Sequence, residues 1–158
     1  MVGEARFRRV MGHFATGITV VASRDHDGVP MGLTVNAFTS VSLTPPLVLV
    51  CIHKQAEAHD LLLESGHFGV SVLASDQGEL AMAFAEEDPE NRFQGVGIRD
   101  GALGSPLIEG ALAWIECQIE EVLPGGDHSI LLGRVVECDA EDGDPILFFK
   151  GVVRGPPQ

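Results

Sequence analysis

The sequence predicts a mainly β domain, an antiparallel barrel with helices packed outside it. Roughly seven β-branched or alternating runs recur along the chain, most joined to the next by a short turn. Helical spacing appears in only a few places. A doubly wound parallel sheet needs a crossover helix after nearly every strand, and this chain lacks them. A sheet of hairpins with a buried face avoids open edges by closing on itself.

The elements follow in order. Residues 5–15 place Phe7, Val10, Met11 and Phe14 at helical spacing, and Gly17 offers a stop. Ile18–Ser23 is strand-like, Asp25-His26-Asp27-Gly28 is a polar turn, and a second run from Met31 to Thr39 completes a hairpin. Pro45-Pro46 precedes Leu47-Val48-Leu49-Val50-Cys51-Ile52, a continuous apolar run expected to be buried on both faces. Residues 56–65 read as a helix with Leu61, Leu62 and Leu63 buried and Gly66 as its cap. Phe68–Leu73 alternates as a strand. Ser75-Asp76, with Glu79 in capping-box position, starts a helix running to about Ala85. Residues 86–106 are polar, glycine-rich and expected to be irregular. Ala111–Leu123 and Ile130–Cys138 are longer strands joined around Pro124-Gly125-Gly126-Asp127, and Ile146–Phe149 with Val152-Val153 forms a last hairpin. One domain over 1–158 is expected, with its core over about 7–153 and a loose tail over 154–158.

Composition excludes several function classes. A formal net charge of −13, with only ten Lys and Arg spread along the chain, argues against nucleic acid and against an anionic lipid surface. It does not exclude a nucleotide, whose phosphates need only local donors. The three cysteines, Cys51, Cys117 and Cys138, form no CxxC pair, and the histidines form no HxH or HxxxH set, so no metal is expected. Reduced cysteines suit the cytoplasm. The N-terminal residues lack the apolar core of a signal peptide, and no apolar run is long enough for a membrane helix.

Familiar nucleotide motifs do not occur. Gly95-Val96-Gly97-Ile98-Arg99-Asp100-Gly101 misses the dinucleotide fingerprint by one position and lacks strand–helix context, and there is no GxxxxGK[ST] or HExxH. The unusual stretch is Gly32–Ser42, which collects Thr34, Asn36, Thr39, Ser40 and Ser42 ahead of an apolar strand. Such small hydroxyl and amide groups suit the edge of a flat heterocycle and its phosphate. They equally suit the polar face of a half-exposed strand, and the residues alone leave both readings open.

The run Gly32–Cys51, followed in order by Phe68–Leu73, Arg92-Phe93, Ala111–Cys117 and Gly126-Asp127-His128-Ser129-Ile130, and preceded by Phe14-Ala15-Thr16-Gly17, resembles the short-chain flavin reductase family. These are the reductase components of two-component flavin-dependent monooxygenases, and the likeness runs from about Phe7 to Gly151. The resemblance implies an FMN-binding split barrel, antiparallel and Greek-key-like. It implies a homodimer with flavin near the subunit interface and an NAD(P)H:flavin oxidoreductase activity. FMN, or FAD, would be reduced by NADH or NADPH and passed by diffusion to a partner monooxygenase. By position, Thr34, Val35, Asn36 and Ala37 lie along the isoalloxazine edge. Ser40 and Val41 approach the ribityl and phosphate, together with Cys51, Ile52, His53 and Lys54. Arg92 and Phe93 match a position near the flavin pocket, and His128 matches a histidine on the nicotinamide side. His53-Lys54-Gln55-Ala56-Glu57-Ala58-His59 departs from the family pattern, because its hydroxyls are missing and Glu57 brings a negative charge toward the phosphate. Lys54 and backbone N–H groups at the helix start are the compensating donors. The alternative on the same barrel is a flavin- or haem-binding protein without turnover.

Overall fold

The computed structural model describes residues 1–155. Of the tail expected to be loose, residues 156–158 lie outside the described residues; Arg154 instead closes a strand.

The first hairpin pairs β2 (Thr19–Arg24) with β3 (Pro30–Val35). Its turn is set by Asp25, whose Oδ1 accepts the backbone N–H groups of Asp27 and Val29, and by Gly28 at φ 81°. The run expected to continue from Met31 to Thr39 is broken at Asn36-Ala37, and the chain re-enters a sheet as β4 (Phe38–Leu43) and β5 (Pro46–His53). After α2 (Ala58–Ser65), Gly66 adopts the left-handed conformation expected of its cap, and β6 (His67–Val72) follows. The longest strands are β9 (Ala113–Gly125) and β10 (His128–Ala140).

These seven strands form one antiparallel sheet in the order β3-β2-β6-β9-β10-β5-β4. Its two edge strands, β3 and β4, are consecutive in the chain with only Asn36-Ala37 between them. So short a link forces the two edges together, and the sheet must curl into a barrel that is left unladdered along one seam. The expected mainly β, antiparallel barrel with outer helices is what forms. The barrel interior holds Val21, Val35, Val50, Phe68, Val70 and Leu131, with Leu62 and Ala58 of α2 packed against them.

A second core lies outside the barrel wall. There α3 (Gly78–Glu86) lays Ala81 and Phe84 over Val20 and Ala22 of β2, and Phe84 meets Phe93 edge-on at 4.8 Å. A small sheet joins β1 (Thr16–Gly17) to the hairpin β11 (Leu147–Phe149) and β12 (Val152–Arg154).

Several local expectations are corrected. The helix α1 (Glu4–Met11) ends earlier than the expected 5–15; its apolar face stands uncovered, with Phe7 59% exposed and Phe14 beyond it 72%. The run 47–52 is buried on one face only. Val48, Val50 and Ile52 enter the core, while Leu47, Leu49 and Cys51 are half-exposed on the outside. In α2 it is Ala58, His59 and Leu62 that are buried, and Leu61 and Leu63 are half-buried, as one stripe of a helix must be. Ser75-Asp76 does not cap α3; the N-cap is Gln77, whose Oε1 accepts the Ala74 N–H at 2.9 Å. The span 86–106 contains a 3-10 turn (Pro89–Asn91) and the strand β7 (Ile98–Asp100), which pairs with β8 (Pro106–Ile108). A buried carboxylate organises that span: Glu116 Oε1 accepts the backbone N–H groups of Leu103 and Ser105 at 2.9 and 3.0 Å.

Gly133 tests how tightly the barrel is filled. A Cβ there would stand 2.8 Å from both Cys117 Cβ and Phe68 Cζ. Gly133→Ala is expected to cost about 1–3 kcal/mol by overpacking. Urea unfolding should show a lower midpoint at unchanged slope.

Candidate active site at the barrel seam

The seam is held open by named bonds. Val35 points inward and is buried, while Thr34 points outward, where its hydroxyl donates to the Ala81 carbonyl at 2.6 Å and ties α3 to the strand end. The Thr19 hydroxyl donates to the Val35 carbonyl at 2.6 Å. Beyond Val35 the chain turns tightly, with Phe38 N–H donating to Asn36 O, and the Ala37 carbonyl accepts Cys51 N–H at 3.0 Å. Asn36 and Ala37 are left exposed at the crossing.

From this crossing a patch runs across the outside of β4, β5 and β10. The register sets Cys51 opposite Ile130 and His53 opposite His128, so alternation puts all four side chains on the outer face. On β4 exposed Ser40 stands opposite inward Val48 and shares its face, and exposed Val41 sits where the register shifts by one residue between Ser40 and Ser42. Burial alone pushes the Cys51 thiol above its ordinary pKa.

At the end of this patch two imidazoles meet. The His53 and His128 rings lie edge to face with centroids 5.0 Å apart. His128 Nδ1 donates to Asp127 Oδ1 at 2.7 Å, and Asp127 Oδ2 is 3.8 Å from His53 Nε2. The Asp127 carboxyl is held below its ordinary range, chiefly by that hydrogen bond from His128. Lys54 N–H donates to the Asp127 carbonyl at 2.9 Å, fastening the β9–β10 turn to the end of β5. One residue further on, the Ser129 hydroxyl is 2.8 Å from His59 Nε2, and His59 Nδ1 is 2.8 Å from Asp60. The buried His59–Ser129 contact docks α2 on β10.

On the other side of the seam lies a cavity of about 1010 Å³, lined by Thr34, Asn36, Ala81, Met82 and Val153 among others. Its walls carry Glu79, Glu86 and Glu87 against one Arg154. The crossing Thr34–Ala37 therefore separates a large cavity from the His53–His128 face.

The structure thus brings Ala37, Val41, Cys51, His53, Lys54 and His128 to the outer side of the seam, with Thr34 and Asn36 on its cavity side and Ser40, opposite inward Val48 in the register, on the inner face of β4. Four expected site residues do not present side chains to it. Val35 and Ile52 point into the barrel core, so only their backbone is offered. Arg92 donates from Nη1 to Gly32 O and from Nε to Glu87 O, both at 2.9 Å, which anchors the 3-10 turn to the seam edge of β3. Burial lowers its pKa, and the nearby carboxylates of Glu57 and Asp88 oppose that effect. Phe93 packs against Phe84 and over Gly32. Reading the sequence missed Asp127. It stood beside His128 in the same turn, but which turn carboxylate bonds which ring is decided by backbone geometry.

The fold is an antiparallel split barrel with a cavity of about 1010 Å³ on one side of an exposed crossing and an imidazole pair on the other. The sequence model of the flavin reductase-like domain matches residues 11–156, and the chain belongs to that family. It is 40% identical over 148 residues to the reductase component of a 4-nitrophenol 4-monooxygenase/4-nitrocatechol 2-monooxygenase from Rhodococcus opacus, covering 94% of this chain and 78% of that protein. Among solved structures, the NADH:FAD oxidoreductase of Streptomyces globisporus superposes with a TM-score of 0.91 at 41% identity, over 99% of this chain and 98% of that one. BorF, the flavin reductase component of a bacterial two-component tryptophan halogenase, gives a TM-score of 0.89 at 42% identity over 99% of both chains.

The cysteines report the geometry of this region. Exposed Cys138 is expected to react first with a thiol reagent at pH 8, half-buried Cys51 more slowly, and Cys117 only after unfolding. The Cys117 thiol is pushed from 9.0 up to about 12, first by burial and then by the Glu116 and Cys138 charges. Its neutral form therefore contributes stability that is full below pH 9.0 and is lost as pH rises toward about 12. Labelling followed by peptide mass spectrometry checks the order.

Proposed function

We propose that this chain transfers hydride from NADH or NADPH to a flavin lying across the seam, and that the reduced flavin leaves for a partner monooxygenase. The observation that carries this reading is the crossing Asn36-Ala37, exposed between the cavity and the imidazole pair, where a flat ring meets small polar groups on an apolar band. Thr34, Asn36 and Ala37, with the backbone of Val35, bind the ring edge. Ser40, Val41, Cys51 and His53, with the backbone of Ile52, continue the site along β4 and β5, and Lys54 is its cation. Arg92 and Phe93 act from behind by fixing β3. FMN is the first choice of flavin and FAD the second.

The reaction asks little of protein acids and bases. Two electrons and one proton leave the nicotinamide C4 together as hydride and arrive at flavin N5, so the protein's task is to hold the rings in contact and exclude water. His128 is the residue that meets the nicotinamide. Its relatives, an NADH:FAD oxidoreductase and the reductase component of a monooxygenase, support turnover over mere binding of a flavin or haem. The cytoplasm is the expected compartment; among the described residues no helix is long and apolar enough to cross a membrane.

The protein acts as a homodimer in this reading. Support comes from apolar surface that a single copy leaves uncovered: Phe7, Val10, Met11 and Phe14 at α1, and Leu47, Leu49 and Cys51 outside β5. Sedimentation should show a species of two chains.

Anaerobic protein mixed with FMN is expected to bleach on addition of NADH or NADPH. His128→Ala should lower kcat/KM for the nicotinamide nucleotide roughly five- to tenfold, the scale of one lost hydrogen bond. Protein that holds flavin but bleaches with neither nucleotide would overturn the assignment.

A further inference from the structure

Hydride transfer changes the charge of a flavin ring, and the seam is unevenly charged. An oxidised isoalloxazine is neutral; after taking hydride at N5 it carries one negative charge, spread over N1 and the neighbouring carbonyl. The side chains at the crossing, Thr34, Asn36, Ala37, Val41 and Cys51, are uncharged. The charges stand around them. Glu79, Glu86 and Glu87 line the cavity that Thr34 and Asn36 share, with Arg154 as the cation there. Glu57 and Asp88 act on Arg92 at the edge of β3. Among the described residues none of these carboxylates forms an ion pair. Arg92 is a poor counter-charge for a ligand, since its Nη1 and Nε already donate to the Gly32 and Glu87 carbonyls. Lys54 lies exposed just past the end of β5. A ring on the crossing thus meets small neutral groups inside a rim where carboxylates outnumber cations, in a chain of net charge −13.

We propose that this rim holds the oxidised flavin more tightly than the reduced one, so that hydride transfer itself loosens the product. The proposal rests on the flavin reductase reading and adds to it what makes the reduced flavin leave. Charge and electrons balance. The dihydronicotinamide gives up two electrons and one proton from C4 and becomes a cation, and the flavin gains them at N5 together with one negative charge. The flavin phosphate is the same before and after, so its repulsion cancels in the comparison and only the ring charge counts. That new charge lies at the crossing, where a bound flavin displaces water and weakens the screening of the cavity carboxylates. Glu86 and Glu87 on one side and Glu57 on the other therefore act by repulsion at a distance, not as ligands. Linkage adds a second consequence: a site that holds the reduced form less tightly lowers the potential of the bound flavin by the same free energy.

The test needs no turnover. Anaerobic protein in a mildly alkaline buffer, where the reduced ring is anionic, would be titrated with FMN before and after chemical reduction. The potential of the bound flavin would be measured against a reference dye. Reduced FMN is expected to bind about tenfold more weakly than oxidised FMN, which is about 30 mV on a two-electron couple. Glu86→Gln combined with Glu87→Gln, and separately Glu57→Gln, should each narrow that gap about two- to threefold. Salt at about 0.5 M should narrow it in the wild type as well. Gln keeps the size of each side chain. Glu137→Gln, on the part of β10 beyond its pairing with β5, should leave the gap unchanged. Bound FMN at or above the potential of free FMN overturns the proposal and leaves the reductase reading intact, as does a gap that neither the variants nor salt narrow. A protein that binds neither form of FMN overturns the reductase reading and this proposal with it.

Discussion

The molecule depends on one connection, the two residues Asn36-Ala37 that join opposite edges of a seven-stranded sheet. Every other strand in that sheet pairs through a backbone ladder, which fixes neighbours but leaves overall curvature free. Only the crossing requires closure. Because β3 and β4 arrive there without a ladder between them, their backbone groups are satisfied piecemeal: Thr19 serves Val35 O, Arg92 serves Gly32 O, and Cys51 serves Ala37 O. The barrel is thus weakest in regular hydrogen bonding where its polar side chains collect. A ligand that lies along the seam meets groups not already committed to a sheet.

Charge is handled locally in the same region. The chain as a whole repels anions, yet the seam has Lys54 at the end of β5 and Arg92 at the edge of β3. Arg92 is not a free point charge. Arg92 is bound to two carbonyls and feels Glu57 and Asp88, and Asp127 stands beside the Lys54 backbone. A phosphate brought to the start of α2 would meet Glu57 at the N-cap, where helix N-termini otherwise favour anions. In the proposed site these opposing charges favour the flat, neutral part of a flavin over its phosphate.

How much of this was legible depended on range. Turns and strand starts that one residue decides were read correctly: Asp25–Gly28, Gly66, and the pairing of the two long strands. The helix start at 75–79 was misplaced because Gln77 satisfies Ala74 N–H from within the turn, and side-chain choice among several cap formers is tertiary. Glu116 and Arg92 were invisible in their real roles: a carboxylate inside an alternating run gives no sign that loop amides will bind it, and a polar loop gives none that Arg92 will reach the Gly32 carbonyl. The site itself divided in the same manner. The band Thr34–Val41 is proposed from residue types and resemblance, whereas the approach of His53 to His128 and Asp127 exists only after β5 and β10 pair in register.

The apolar stripe of α1 carries the last step. Its spacing predicts an apolar face and the structure leaves that face uncovered, because periodicity states that a face needs covering and not what covers it. Inside the chain, Phe68 and Phe84 are wholly buried, so the fold does not lack room for aromatics. Phe7 and Phe14 nonetheless stay in solvent, and the outer face of β5 keeps Leu49 and Cys51 half-exposed beside His53. α1 is fastened at its end by the Lys150 N–H bond to Gly12 O, which presents the helix rather than folding it in. A second copy laid on these surfaces would bury the apolar groups and wall the open side of the imidazole pair. In that arrangement the same contact that completes the hydrophobic surface also dries the place where hydride moves.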